Sequence, residues 1–226
     1  METEYIFLGF PLRVDAPSPP AIPPIELQPF LTLEKDDANV TMMKLTSHTG
    51  THLDTPAHVI QNGLRLTDFE PADFIFNHPC VIDLPLDDTQ IVQPEELAPF
   101  VQGGKEADLI LFRFGYGPVR HSDPKRYSIK SPGFGVESAN YLRENFPSMR
   151  ALGMDVPSLS CIEYLDTTFK AHHALLDGVS RKFLVIEDMN LENDLSNLDS
   201  VIVAPLLVNQ IDGCPCTIFG LLKNSK

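Results

Sequence analysis

Between positions 48 and 58 the chain reads His48-Thr-Gly-Thr-His52-Leu-Asp54-Thr-Pro-Ala-His58, and this segment tolerates very few backbone shapes. As a helix it would split its polar set, because Asp54 would sit about 200° around the axis from His52. As an extended chain it would send positions 48, 52, 54 and 58 to one side, since alternate side chains share a face. Full extension has its own fault: at about 3.3 Å per residue it would hold His48 and His52 roughly 13 Å apart. A bend must lie between them, and Gly50 is the residue that permits one. Pro56 then blocks helix continuation and keeps Thr55 extended. Residues 40–47 are β-favouring or mixed and contain neither Gly nor Pro. The segment therefore reads as a strand running into a bent stretch that gathers its side chains.

Those side chains have a shared chemistry. Imidazole and carboxylate bind borderline divalent cations such as Zn²⁺ and Mn²⁺, and the set does not choose between them. Three ligands and one further His are enough to hold an ion and to move protons beside it. The bland alternative is a polar loop whose His residues cap turns or face water. It suits any one of them, but the chain has seven His in all and three fall in this stretch.

With 226 residues the chain can form one sizeable core, and its 43% hydrophobic and 21% charged residues are ordinary for a globular protein. A net charge of −14 argues against nucleic acid or an anionic membrane as partner. A neutral small molecule fits better, or an anionic amino-acid-like one steered by a bound cation. No apolar run approaches the roughly 20 residues that span a bilayer. The acidic start, Met-Glu-Thr-Glu-Tyr, lacks a secretory n-region, so a cytoplasmic protein is expected. Cys80, Cys161 and the pair Cys214-Pro-Cys216 have no second pair nearby and read as structural thiols.

Residues 4–10 read as a first strand, and residues 11–30 as a proline-rich, semi-extended arm on the surface or on a partner subunit. Residues 63–77 read as a loop anchored by Phe69, Phe74 and Phe76. Strands are expected at 79–84, 108–114, 150–155, 182–187, 200–208 and 216–222, with a short helix at 95–101 and longer ones at 136–146 and about 160–176. Alternating strands and helices, then consecutive strands, indicate an α/β fold with mixed pairing at the C-terminus. The chain has no Gly-x-Ser-x-Gly elbow, no His-Glu-x-x-His and no complete phosphate-binding loop. A second polar cluster lies downstream, where His172-His173 follows the helical stretch and Glu187 ends an apolar strand. Strand ends are where open sheets gather ligands. Read alone, these residues also suit a helix surface and the solvent end of a strand.

The whole pattern resembles a cyclase family that includes bacterial kynurenine formamidases and isatin hydrolases. The first motif carries most of the likeness. It continues through Val81-Ile-Asp83-Leu, Ala107-Asp-Leu-Ile-Leu, Leu152-Gly-Met-Asp155-Val-Pro-Ser158, His172-His-Ala-Leu-Leu, Val185-Ile-Glu187-Asp and Ala204-Pro-Leu, in that order. The resemblance implies a single compact domain over residues 1–226, of swivelling β/β/α type with a mixed sheet, assembled as a homodimer or homotetramer. It implies His48, His52 and Asp54 as ligands of a first metal. Asp54 would bridge to a second ion held by His172 and Glu187, and His58 would be the acid/base residue. His173 competes with His172 for the ligand role. Substrate contacts are not implied, although Tyr116 stands where an aromatic near the pocket is expected. The implied activity is hydrolysis of a small C–N amide by one or two ions per chain. A metal-dependent lyase or dehydratase, and a non-catalytic metal- and ligand-binding protein, are the alternatives.

Overall fold

The computed structural model describes residues 3–177 and 182–223, with backbone alone at 165–168. In chain order its elements begin with β1 (Thr3–Phe7), β2 (Glu26–Leu31), α1 (Leu33–Asp36), β3 (Val40–Lys44), β4 (His52–Asp54), β5 (Ile75–Phe76) and β6 (Pro79–Asp83). Next come β7 (Ile91–Val92), α2 (Pro94–Leu97), α3 (Val101–Gly104), β8 (Leu109–Arg113), α4 (Gly117–Ser122), α5 (Pro124–Lys130) and β9 (Gly133–Phe134). The chain ends through α6 (Val136–Asn145), β10 (Ala151–Met154), α7 (Leu165–Leu176), β11 (Leu184–Glu187), β12 (Leu198–Pro205) and β13 (Gly213–Lys223). No helix is long and apolar enough to cross a membrane among the described residues.

One nine-stranded sheet organises the fold, in the order β5-β12-β13-β4-β11-β10-β8-β6, with β1 also paired to β13. β6, β8, β10 and β11 run parallel to one another. β4 lies antiparallel between β11 and β13, and β12 and β13 are antiparallel. This is the mixed α/β sheet expected from the order of elements. Its parallel strands read as unbroken apolar runs because both faces are covered. Along β8, Ile110 and Phe112 enter one core with α6 and α7, while Leu109 and Leu111 enter the other. β11 repeats the alternation, with Val185 in the first core and Leu184 and Ile186 in the second.

Several local expectations need correction. The arm at 11–30 is not a free surface segment throughout: its last residues form the strand β2, which pairs with β3 in a separate two-stranded ribbon. Pro29 is tolerated there because a ribbon strand has a free edge. Every residue of β3 is exposed, and β2 is exposed up to Leu31. α4 and α5 were absent from the sequence reading, although Asp123-Pro124 starts α5 in standard fashion. The Asp123 carboxylate accepts from the Arg126 N–H at 3.0 Å and Pro124 occupies the first turn. His172-His173 lies within α7, inside the helix expected at about 160–176 and not beyond its end.

Candidate metal centre

β4 is only three residues long, yet pairing on both sides fixes which way each residue points. In its register with β11, His52 faces Glu187, Leu53 faces Ile186 and Asp54 faces Val185. Directly opposed residues share a sheet face. Leu53 and Ile186 belong to the second core, so His52, Asp54 and Glu187 emerge on the other face, where α7 packs. His172 is buried on α7 beside Ala171 and Leu175, whereas His173 is exposed. That settles which of the two faces the cluster. Gly50 supplies the bend before β4 with φ +63°, and a 3₁₀ turn begun by Pro56 carries His58 back to the same side.

The bent segment closes the gap that a straight strand would leave. His48 Nδ1 lies 2.8 Å from Asp54 Oδ1. His52 Nε2 is 3.5 Å from the same oxygen and 3.1 Å from Glu187 Oε2. His172 Nε2 is 3.2 Å from Glu187 Oε1 and 3.8 Å from Asp54 Oδ2. Other contacts fix the orientation of these groups. His52 Nδ1 donates to the Gly50 carbonyl at 2.7 Å, which turns Nε2 toward the carboxylates. The Leu159 N–H donates to Glu187 Oε1 at 2.6 Å.

Asp212, which the sequence reading did not single out, completes the cluster. Its Oδ2 lies 2.8 Å from His48 Nε2 and 3.4 Å from His58 Nδ1. Its backbone carbonyl accepts from both the N–H and the hydroxyl of Thr55, each at 2.9 Å. The residue stands 154 positions from His58, just before the strand that pairs with β4, so only the pairing brings it in. The following Gly213 is required by crowding: a Cβ there would lie 2.5 Å from the Leu53 carbonyl oxygen and 3.1 Å from His48 Cε1.

Charge in the cluster is distributed unevenly. Burial opposes a proton on His48, but hydrogen bonds to Asp212 and Asp54 outweigh it and push the pKa up to about 10. His52 is raised in the same way, with Glu187 and Asp54 overcoming its burial. Glu187 is held well below the carboxylate range despite burial, by its bonds to His172 and His52. For Asp54, burial and the Glu187 charge push upward, and the His48 bond brings the net shift down. Asp212 is lowered by its bond from His48. His58 differs from its neighbours: burial lowers its pKa, which keeps the ring neutral and able to accept a proton near neutral pH.

Do these residues suit a divalent cation? Among the described residues, His52 Nε2 and Asp54 Oδ2 are buried without a well-aligned hydrogen bond, their nearest charged contacts being Glu187 Oε2 at 3.1 Å and His172 Nε2 at 3.8 Å, a condition that native structures rarely leave uncompensated. Ligand atoms of His48, His52 and Asp54 lie within 4.8 Å of one another, as do those of Asp54, His58 and His172 and those of His48, His58 and Asp212. Imidazole and carboxylate donors converging in one buried cluster are a fit for Zn²⁺ or Mn²⁺. His48, Asp54 and His58 each belong to two of these groups.

A cavity of about 490 Å³ opens over the cluster, lined by His48, His52, His58, His172 and Glu187 on its floor. Pro19, Pro20, Ala21 and Ile22 of the proline-rich arm form part of its wall, so the arm builds the pocket rather than merely covering surface. The aromatic in the wall is Phe169, not Tyr116, which is buried elsewhere and donates its hydroxyl to Asp88. Among the described residues, the hydroxyls of Thr49 and Thr51 hydrogen-bond to backbone and to Thr46, not to the ligands. Thr51 Oγ1 donates to the Asp188 carbonyl at 2.5 Å and accepts from the Phe10 N–H at 2.9 Å, while Thr49 Oγ1 accepts from the Thr46 N–H at 3.1 Å. They brace the backbone that carries the ligands.

Known proteins share this architecture. The model of the family described as Putative cyclase matches residues 6–160. A kynurenine formamidase from Bacillus thuringiensis subsp. konkukian (strain 97-27) is 26% identical over 215 residues, covering 94% of this chain and 95% of the relative. Isatin hydrolase A from Ralstonia solanacearum superposes with a TM-score of 0.80 at 18% identity, covering 98% of this chain and 92% of its own. An isatin hydrolase bound to the product analogue thioisatinate also gives a TM-score of 0.80 at 18% identity, with 99% and 94% coverage.

Proposed function

The chain belongs to the cyclase family, and from that premise we propose that it is a metal-dependent hydrolase that cleaves a C–N amide bond of a small molecule. The observation that carries the reading is the convergence of His48, His52 and His172 with the buried Asp54 and Glu187 carboxylates beside a cavity that His48, His52, His58, His172 and Glu187 line. His48, His52 and Asp54 would hold one divalent cation, Zn²⁺ or Mn²⁺, and Asp54, His172 and Glu187 a second. When bound, such a cation supplies Lewis acidity toward a water molecule and toward the substrate carbonyl.

The remaining chemistry belongs to the protein. His58, neutral near pH 7, accepts the proton from the attacking water and returns it to the leaving nitrogen. General acid–base help of this kind contributes about 10²–10⁴-fold. Asp212 accepts at Nδ1 of His58 and so leaves Nε2 for that proton traffic. The apolar wall limits access of bulk water to the reacting groups.

The kynurenine formamidase and isatin hydrolase relatives support an amide of formanilide or lactam type. The reading also includes a cytoplasmic enzyme assembled as a homodimer or homotetramer. The test is product formation by protein loaded with Zn²⁺ or with Mn²⁺: formate from N-formyl arylamines and the ring-opened acid from isatin. Fully loaded protein that releases neither product contradicts the reading.

A further inference from the structure

We propose that Arg120 is a positioning residue for the metal centre: working through Asp188, it holds His52 and Glu187 in register with each other. This rests on the hydrolase reading and adds to its site a residue outside the ligand set. β4 and β11 pair only as far as His52 opposite Glu187. The next pair in that antiparallel register would be Thr51 and Asp188, and there both backbones turn, with φ +63° at Gly50 and +54° at Asp188. A side chain takes over from the ladder: Thr51 Oγ1 donates to the Asp188 carbonyl at 2.5 Å. A left-handed φ is unfavourable for a residue with a Cβ, so Asp188 keeps it only because its surroundings hold it.

Those surroundings engage each polar group of Asp188. Its N–H donates to the Val156 carbonyl at 2.7 Å. Arg120 forks onto its carboxylate, Nε to Oδ1 at 2.7 Å and Nη2 to Oδ2 at 2.9 Å. The Tyr127 hydroxyl donates to Oδ1 at 2.6 Å. Arg120, Tyr127 and Asp188 are all buried. A buried ion pair is a poor source of stability, since desolvation offsets much of its attraction. What the fork imposes is direction, because two parallel N–H bonds fix the plane of the carboxylate. The same guanidinium lies 3.8 Å from the centroid of the Phe10 ring, and Phe10 donates its N–H to Thr51 Oγ1 at 2.9 Å. Arg120 therefore steadies Thr51 from two sides, through Asp188 and through Phe10. Thr51 directly precedes His52 and Asp188 directly follows Glu187, so slack in this clamp passes straight to two ligands.

The test measures Zn²⁺ and Mn²⁺ affinity by competition with a chromophoric chelator, on metal-free proteins whose fold is checked by circular dichroism and unfolding curves. Outer partners that touch a ligand directly are worth about 10–100-fold in metal affinity. Arg120 acts through one residue more, and Lys keeps its charge but cannot fork, so Arg120→Lys is expected to bind about five- to tenfold more weakly. Leu97→Ala is the control, since Leu97 is buried in the first core outside the cavity lining. Its cavity lowers Tm, but the folded protein is expected to bind metal as wild type does. If Arg120→Lys fails to fold, Arg120→Gln/Asp188→Asn, which leaves no buried charge unpaired, decides with the same expectation. A loss smaller than about fivefold in the deciding variant overturns the proposal. An equal loss in Leu97→Ala does the same, and so does failure of both clamp variants to fold, which makes the pair structural. Wild type that binds metal but hydrolyses nothing sinks the hydrolase reading alone, and the affinities still judge the clamp. Wild type that binds neither ion overturns both.

Discussion

Replacing Asp212 with Asn removes one negative charge and little else. The loop should stay in place, because Thr55 holds residue 212 by its backbone carbonyl and not by its side chain. The side chain is 38% exposed, so its loss costs less than about 1 kcal/mol of fold stability. Its effect on the cluster should be larger. Asp212 Oδ2 is the acceptor for His48 Nε2 at 2.8 Å, and this contact leaves Nδ1 of the same ring facing Asp54. Losing a carboxylate that orients a ligand imidazole weakens metal binding about 10–100-fold, equivalent to about 1.4–2.7 kcal/mol. The contact to His58 is longer, at 3.4 Å, so turnover at saturating metal should fall by roughly tenfold. Competition with a chromophoric chelator measures the first effect, and steady-state rates with excess metal measure the second. Unfolding curves confirm that the fold is intact. Asp212→Asn protein that binds metal within twofold of wild type, and turns over as fast, refutes the assigned role.

His58→Ala is expected to retain its metal while losing about 10²–10⁴ of kcat; metal lost in parallel, read by elemental analysis, would make His58 a ligand. In metal-free protein the folded His48 pKa is about 10 against 6.5 for the free side chain. Its contribution to stability is therefore fully present below pH 6.5 and lost as pH rises through 10. The Tm of chelated protein should fall across that window and fall less with metal bound, where the cation replaces the proton; a flat profile for chelated protein contradicts this. Leu27 and Met43 face each other across the β2–β3 ribbon and are 46% and 61% exposed. An isolated two-stranded ribbon is marginal in water, so sedimentation should show wild type as an oligomer and Leu27→Glu/Met43→Glu as a folded monomer. A monomeric wild type removes the assembly.

The bend at Gly50, the shared face of His52 and Asp54 and the apolar strands were legible because each depends on local sequence. Backbone period and the φ restrictions of Gly and Pro act within a few residues, and so does burial on both faces of a strand. The Phe69, Phe74 and Phe76 anchors follow the same rule and are buried. Asp212 was not legible, since its approach depends on β4 pairing with β13 across more than 150 residues. The choice of His172 over His173 required knowing how α7 turns on the sheet. The sequence places the proline-rich arm on the surface or on a partner subunit, because nothing local reveals that Pro19, Pro20, Ala21 and Ile22 reach over the His cluster. α4 carried a weaker signal: it opens on Gly117-Pro118 after a positive-φ Gly115, a pattern that also marks a plain turn.

The most direct test of the central claim is an anomalous-difference map from crystals of freshly purified protein, recorded at the absorption edge of whichever metal fluorescence detects. The account predicts one or two peaks among His48, His52, Asp54, His172 and Glu187, at coordination distance from the first three. Peaks confined to other parts of the surface, or protein that binds neither Zn²⁺ nor Mn²⁺, would contradict it.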